Sequence, residues 1–187
     1  QFFEKALQIA PDSQLALNNL GDTYMKLDET DKALATYKKV VEVAPDNTYA
    51  HVALAEIFLD KEQYNDALYH AKMGVELNPY HAYNFNILGE CYYNLKDYNN
   101  ASVSYAKAVE IDPEYDTALY NLGFVLYQLD RYEEAIVHLE NARKLNPEHT
   151  GSAYTLGNCY YQLKDYGNAV KNLKKAVGAK PDIYSNA

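Results

Sequence analysis

Residues 82–115 read AYNFNILGECYYNLKDYNNASVSYAKAVEIDPEY. Phe85, Leu88, Gly89 and Tyr92 fall at i, i+3, i+4 and i+7, the spacing of one helix face. After Lys96-Asp97, a second run places Ala101, Tyr105 and Ala108 at i, i+4 and i+7 and ends at Asp112-Pro113. The residue before a proline is driven out of the helical region, so Asp-Pro stops the second helix and turns the chain. The stretch therefore predicts a helical hairpin.

The same stretch recurs along the chain. All six prolines, Pro11, Pro45, Pro79, Pro113, Pro147 and Pro181, lie 34 residues apart without insertion or deletion. With proline at position 32 of the unit, five full repeats follow: 14–47, 48–81, 82–115, 116–149 and 150–183. Residues 1–13 read as the second helix of a preceding partial repeat, with Phe3 and Ala6 at its aromatic and small positions, and 184–187 as the start of a further helix. The array is expected to continue upstream.

Small residues mark the close approaches. Position 8 holds Gly21, Ala55, Gly89, Gly123 and Gly157, and position 20 holds Ala33, Ala67, Ala101, Ala135 and Ala169. A mid-helix Gly costs about 1 kcal/mol relative to Ala, so four at one structural position imply tight helix contact. In the second repeat Ala71 and Gly74 stand in the second helix, where looser packing is expected.

Leu20-Gly21, Tyr24, Ala33, Tyr37 and Pro45, and again Leu88-Gly89, Tyr92, Ala101, Tyr105 and Pro113, resemble the tetratricopeptide repeat (TPR) signature. The resemblance covers essentially the whole chain. It departs at position 4, where the family's frequent Trp is replaced by Leu17, His51, Phe85, Leu119 and Ala153. The fold it implies is all-α, a right-handed superhelical solenoid of antiparallel helix-turn-helix hairpins.

Composition narrows the function. A formal net charge of -9 over 187 residues opposes nucleic-acid binding, which draws its affinity from clustered Lys and Arg. No apolar run approaches the roughly 20 residues of a membrane span, so no membrane insertion is expected. The compartment is left open, a soluble, cytoplasmic setting being favoured. Phosphate-loop, HExxH and GxSxG motifs are absent, which points to a non-enzyme with no cofactor. Cys91 and Cys159 share position 10, where the other repeats carry Thr23, Ile57 and Val125, and read as buried packing thiols. His70 and His138, two repeats apart, are too far separated to share a metal, so no metal site is expected.

With positions 4, 7, 8 and 11 given to packing, helix geometry turns positions 2, 5, 9, 12 and 13 the other way. The resemblance implies that this face lines a concave peptide-binding groove. Its candidate residues are Asn18, Asp22 and Met25; Val52, Glu56 and Leu59; Asn86, Glu90 and Tyr93; Tyr120, Phe124 and Tyr127; and Tyr154, Asn158 and Tyr161. The face starts acidic and turns aromatic, and tyrosine offers contact area with a polar tip at low entropic cost. A chaperone-tail clamp is not expected, because Asn18 and Asp22, then Ala53, then Tyr83 and Ile87 supply no basic residue where that subfamily needs it. The expected partner is a protein or peptide with basic and apolar residues. Two other readings stand beside this scaffold: a non-catalytic substrate-recruiting arm of a larger enzyme such as a glycosyltransferase, and an array that self-assembles as a homo-oligomer through uncapped ends.

Overall fold

A computed structural model describes residue 10 and residues 12–179. The predicted helices in 1–13 and 184–187, with Pro11 and Pro181, lie outside the described residues apart from 10, 12 and 13, which are not helical. The described residues form ten α-helices: α1 (Gln14–Lys26), α2 (Thr30–Val43), α3 (Thr48–Asp60), α4 (Tyr64–Leu77), α5 (Ala82–Asn94), α6 (Tyr98–Ile111), α7 (Asp116–Gln128), α8 (Tyr132–Leu145), α9 (Thr150–Gln162) and α10 (Tyr166–Ala179). Two helices fall in each 34-residue span, and no strand occurs among the described residues. This is the expected all-α, TPR-type architecture. The chain divides into two compact units, Gln1–Leu95 and Lys96–Ala187; the first holds α1 to α5 and the second α6 to α10.

Local chemistry sets the helix ends. Side-chain caps start several of them: Asn47 accepts from the Ala50 amide at 2.9 Å, Asp97 from Asn100 at 3.1 Å and Asp165 from Asn168 at 3.1 Å. Second helices stop before proline, where Ala44, Asn78, Asp112 and Asn146 take φ between -142 and -130 and ψ between 82 and 95. First helices stop differently. Asp28, Glu62, Lys96, Asp130 and Lys164 all adopt a left-handed backbone with φ of 57 to 64. The next amide then reaches back to close the turn, as Glu29 does to the Tyr24 carbonyl at 2.9 Å and Gln63 to Phe58 at 2.8 Å.

Packing within a hairpin follows a size rule. A Cβ on Gly21 would lie 2.6 Å from Tyr37 Cζ, one on Gly123 2.5 Å from Leu139 Cγ, and one on Gly157 2.6 Å from Leu173 Cγ. Position 8 is thus small so that the large side chain at position 24 can lie across it. In the second repeat the sizes even out, with Ala55 and Ala71 both buried. The looser packing expected around Ala71 and Gly74 is not found. Val52 Cγ2 takes the space over Gly74, where a Cβ would stand 2.9 Å from it, and Ala71 is 1% exposed. Cys91 and Cys159 are free and buried, and burial pushes both thiols up to about 12.

His51 and His70 fill the remaining room in this second hairpin. Their Nδ1 atoms lie 2.9 Å apart, His51 Nε2 lies 3.0 Å from the Pro45 carbonyl, and the Phe58 ring stacks on His70 at 5.6 Å. A carbonyl only accepts, so His51 donates through Nε2 and its Nδ1 accepts from His70 Nδ1–H.

Candidate functional site

In the first unit the candidate residues separate into buried and accessible sets. Val52 and Asn86 are 7% and 4% exposed, so position 5 there belongs to the packing and corrects their assignment to an open binding face. Val52 packs over Gly74, where an added Cβ would lie 2.9 Å from its Cγ2. Asn18, Asp22, Met25, Leu59, Glu56, Glu90 and Tyr93 are half-buried. Asn18 Oδ1 is shielded from solvent and has no hydrogen-bond partner among the described residues.

The acids are not equivalent. Asp22 Oδ1 accepts from Tyr49 Oη at 2.6 Å and from Tyr37 Oη. Glu56 Oε1 accepts from Tyr83 Oη. In each case a tyrosine at position 2 of the next repeat, 27 residues downstream, reaches back to the acid at position 9. Burial, followed by the Asp22 hydrogen bond, raises Tyr49 to about 12 and raises Tyr37 further. These tyrosines stay protonated and act as donors. The spacing was readable in the sequence, but Tyr49 and Tyr83 were not among the expected site residues.

Glu56 and Glu90 form the charged centre of this unit. Burial raises the pKa of Glu56, the Tyr83 hydrogen bond pulls it back, and Asp60 raises it again. Burial likewise raises Glu90, with Glu56 and Asp60 adding to the shift. Asp60, at position 13, is therefore a third member that the expected set omitted. None of the ion pairs among the described residues involves Glu56, Asp60 or Glu90.

The second unit carries the aromatic candidates. Tyr120 stacks on Phe124 with ring centroids 5.9 Å apart and meets His149 edge-on at 4.5 Å. Tyr127 lies against Tyr132 at 5.8 Å, and Tyr161 against Tyr166 at 5.8 Å. On α9, Tyr154 and Tyr161 are one face of the helix, seven residues apart, and are 43% and 58% exposed, with half-buried Asn158 between them. Two tyrosines at helical spacing that stay this open form a surface fit for contact rather than core.

Among the described residues no group of three or more His, Cys, Asp or Glu could hold a metal, and no helix is long and apolar enough to cross a membrane.

Known structures share this fold. A crystal structure of YrrB, described as a TPR protein with an unusual peptide-binding site, superposes with a TM-score of 0.85 at 22% identity, covering 98% of this chain and 94% of that one. A crystal structure of MamA gives a TM-score of 0.80 at 26% identity, covering 86% and 94%. PilF of Pseudomonas aeruginosa gives 0.78 at 23% identity, covering 89% and 76%. No curated protein matches the sequence. The sequence itself matches a family over residues 5–185, nearly its whole length. The chain thus belongs to the family of the cilia and flagella-associated protein 70 C-terminal domain, a TPR domain.

Proposed function

We propose that this chain is a non-catalytic interaction scaffold that binds a partner polypeptide through the exposed faces of its first helices. The first unit takes basic residues and the second takes apolar, aromatic or proline-bearing ones. The observation that carries this reading is the Glu56, Asp60 and Glu90 cluster, in which Asp60 adds to the upward shift of Glu56, Glu56 and Asp60 both add to that of Glu90, and no member has a cationic partner among the described residues. Partly buried carboxylates such as Glu56 and Glu90, held beside the exposed Asp60 at a cost to stability, are a feature of binding sites, where an incoming cation relieves the repulsion. The open tyrosines Tyr154 and Tyr161 support a second contact surface in the other unit. The family's name joins it to cilia and flagella, so basic segments of ciliary proteins are the partners to screen first.

A peptide array screened with the 187-residue chain, followed by fluorescence anisotropy at rising salt, tests this reading. The expected hits are basic, bind more weakly as salt rises, and lose about tenfold or more in affinity on Glu56→Lys with Glu90→Lys. Selection of acidic peptides, or affinity unchanged by the charge reversal, would overturn it.

A further inference from the structure

The second unit encloses a cleft of about 110 Å³ between the start of α7, the end of α8 and the start of α9, lined by Asp116, Thr117, Tyr120, Ala142, Asn146 and His149. Two small residues make room for it. Position 2 holds Leu15, Tyr49 and Tyr83 in the first unit but Thr117 and Gly151 in the second. A Cβ on Gly151 would lie 3.0 Å from Tyr120 Oη and 3.2 Å from His149 Cε1, so a larger residue there would press on both rings.

Of the six lining residues only Asp116 is an anion, and its carboxylate is held by neutral groups. Oδ1 accepts from the Thr117 amide at 2.7 Å and from Thr117 Oγ1 at 3.3 Å, and Oδ2 accepts from Asn146 Nδ2 at 3.4 Å. No ion pair among the described residues neutralises it. His149 Nδ1 accepts from the Ser152 amide at 3.2 Å and faces Ser152 Oγ at 2.7 Å, which places the ring hydrogen on Nε2. An entering anion would meet the Asp116 carboxylate, and an apolar group would strip water from it without replacement. A cation gains from the carboxylate, from the Asn146 amide oxygen and from the Tyr120 ring.

We propose that this cleft receives the guanidinium or ammonium head of an arginine or lysine side chain from the partner polypeptide. The proposal rests on the reading above only for the source of that cation. It adds a basic-residue site within the unit whose other candidate residues are aromatic, and it assigns Asp116 as the anchor.

The test is a titration of the full chain with methylguanidinium chloride, followed by ¹H–¹⁵N spectra, with sodium chloride at equal ionic strength as the control. Saturable shifts of the Thr117, Tyr120 and Gly151 amides are expected, and Asp116→Asn is expected to weaken binding about fivefold or more. An unchanged melting temperature in that variant shows that the fold is intact. Shifts that do not saturate, that sodium chloride reproduces, or that persist equally in Asp116→Asn would sink the proposal. A second arm uses an arginine-containing peptide from the array. Affinity lowered by Asp116→Asn supports the cleft as its docking point; affinity unchanged removes the cleft and leaves the scaffold reading in place. Saturable methylguanidinium binding with no peptide bound by any variant keeps the cation site and removes the scaffold as its source.

Discussion

His70 donates its Nδ1–H to His51 Nδ1 across the second hairpin, at 2.9 Å, because His51 spends its own ring hydrogen on Pro45. Protonating His70 adds its new hydrogen at Nε2 and leaves the Nδ1–H bond to His51 in place, so what opposes the charge is the partly buried setting of the ring. Burial first, then His51, pull His70 down to about 4, with Lys38 adding to the shift and Asp66 opposing it; the uncharged Phe58 and Tyr69 rings lie against it. Its ordinary value is 6.5, so the unfolded chain takes up the proton first as pH falls. Stability is therefore complete above 6.5 and is lost as pH falls from there toward about 4. The half-exposed ring limits the loss to about 1 kcal/mol. Urea midpoints across this range should show that acid limb, and His51→Leu with His70→Ser, the residues of repeat four and repeat three at those positions, should flatten it.

Glu90 behaves in the opposite sense. Its pKa is raised above the ordinary 4.5 by burial and by Glu56 and Asp60, so the folded state takes up the proton first. Its penalty on stability is present at neutral pH and fades as pH falls through the raised value. Glu90→Gln should raise the melting temperature at pH 7, with the gain over the parent shrinking on acidification, while affinity for a basic peptide falls. A variant that loses both stability and affinity would show that Glu90 serves the packing instead.

Gly21 has no room for a methyl group. The added Cβ would lie 2.6 Å from Tyr37 Cζ, and Tyr37 is 2% exposed with its hydroxyl tied to Asp22. Overpacking of this kind costs about 1–3 kcal/mol, against a helix-propensity gain of about 1 kcal/mol. Gly21→Ala should accordingly destabilise, whereas Gly167→Ala, where the nearest atom is Asp165 Oδ1 at 3.7 Å, should be neutral or stabilising. Thermal unfolding of the two variants side by side makes the comparison.

The left-handed residues that end the first helices offer a gain. Glu62 and Lys164 have φ of 58 and 62, a region that costs an L residue with an extended side chain about 1 kcal/mol and costs Gly little. The greater unfolded-state freedom of Gly offsets part of this, so Glu62→Gly and Lys164→Gly should each stabilise by about 0.5 kcal/mol. Asp130→Gly should gain less, because Asp tolerates this conformation better and its carboxylate accepts from Tyr132 Oη at 2.5 Å. Denaturant midpoints order the three.

Periodicity made the hairpins legible, since helix spacing and proline punctuation are local signals. The candidate faces were legible only in part. Helical geometry turns Val52 and Asn86 to the same side as Asp22 and Glu56, but their burial depends on what neighbouring helices leave open, and Val52 packs over Gly74, 22 residues away. Asp60 lies one turn beyond Glu56 on α3, a neighbour that helix geometry supplies, but its effect on Glu90 runs between two helices and no single-helix projection contains it. The bonds from Tyr49 to Asp22 and from Tyr83 to Glu56 share a 27-residue offset, which becomes visible once positions 2 and 9 are compared between repeats rather than within one. The cleft at Asp116 arises from small residues, and a missing side chain has no chemical signature of its own.

The matched sizes at positions 8 and 24 bear on how such arrays can be recombined. Gly21 goes with Tyr37, Gly123 with Leu139, Gly157 with Leu173, and Ala55 with Ala71. A chimera that joined α3 to the sequence of α2 would drive the Ala55 methyl into a tyrosine ring, and the reciprocal chimera would leave an unfilled hole beside Gly21. Duplication or exchange with breakpoints near the prolines carries each matched pair intact, whereas a breakpoint between the two helices of a hairpin separates them. Heredity in this chain is therefore expected to run by whole hairpins, with the proline junctions as the tolerated seams.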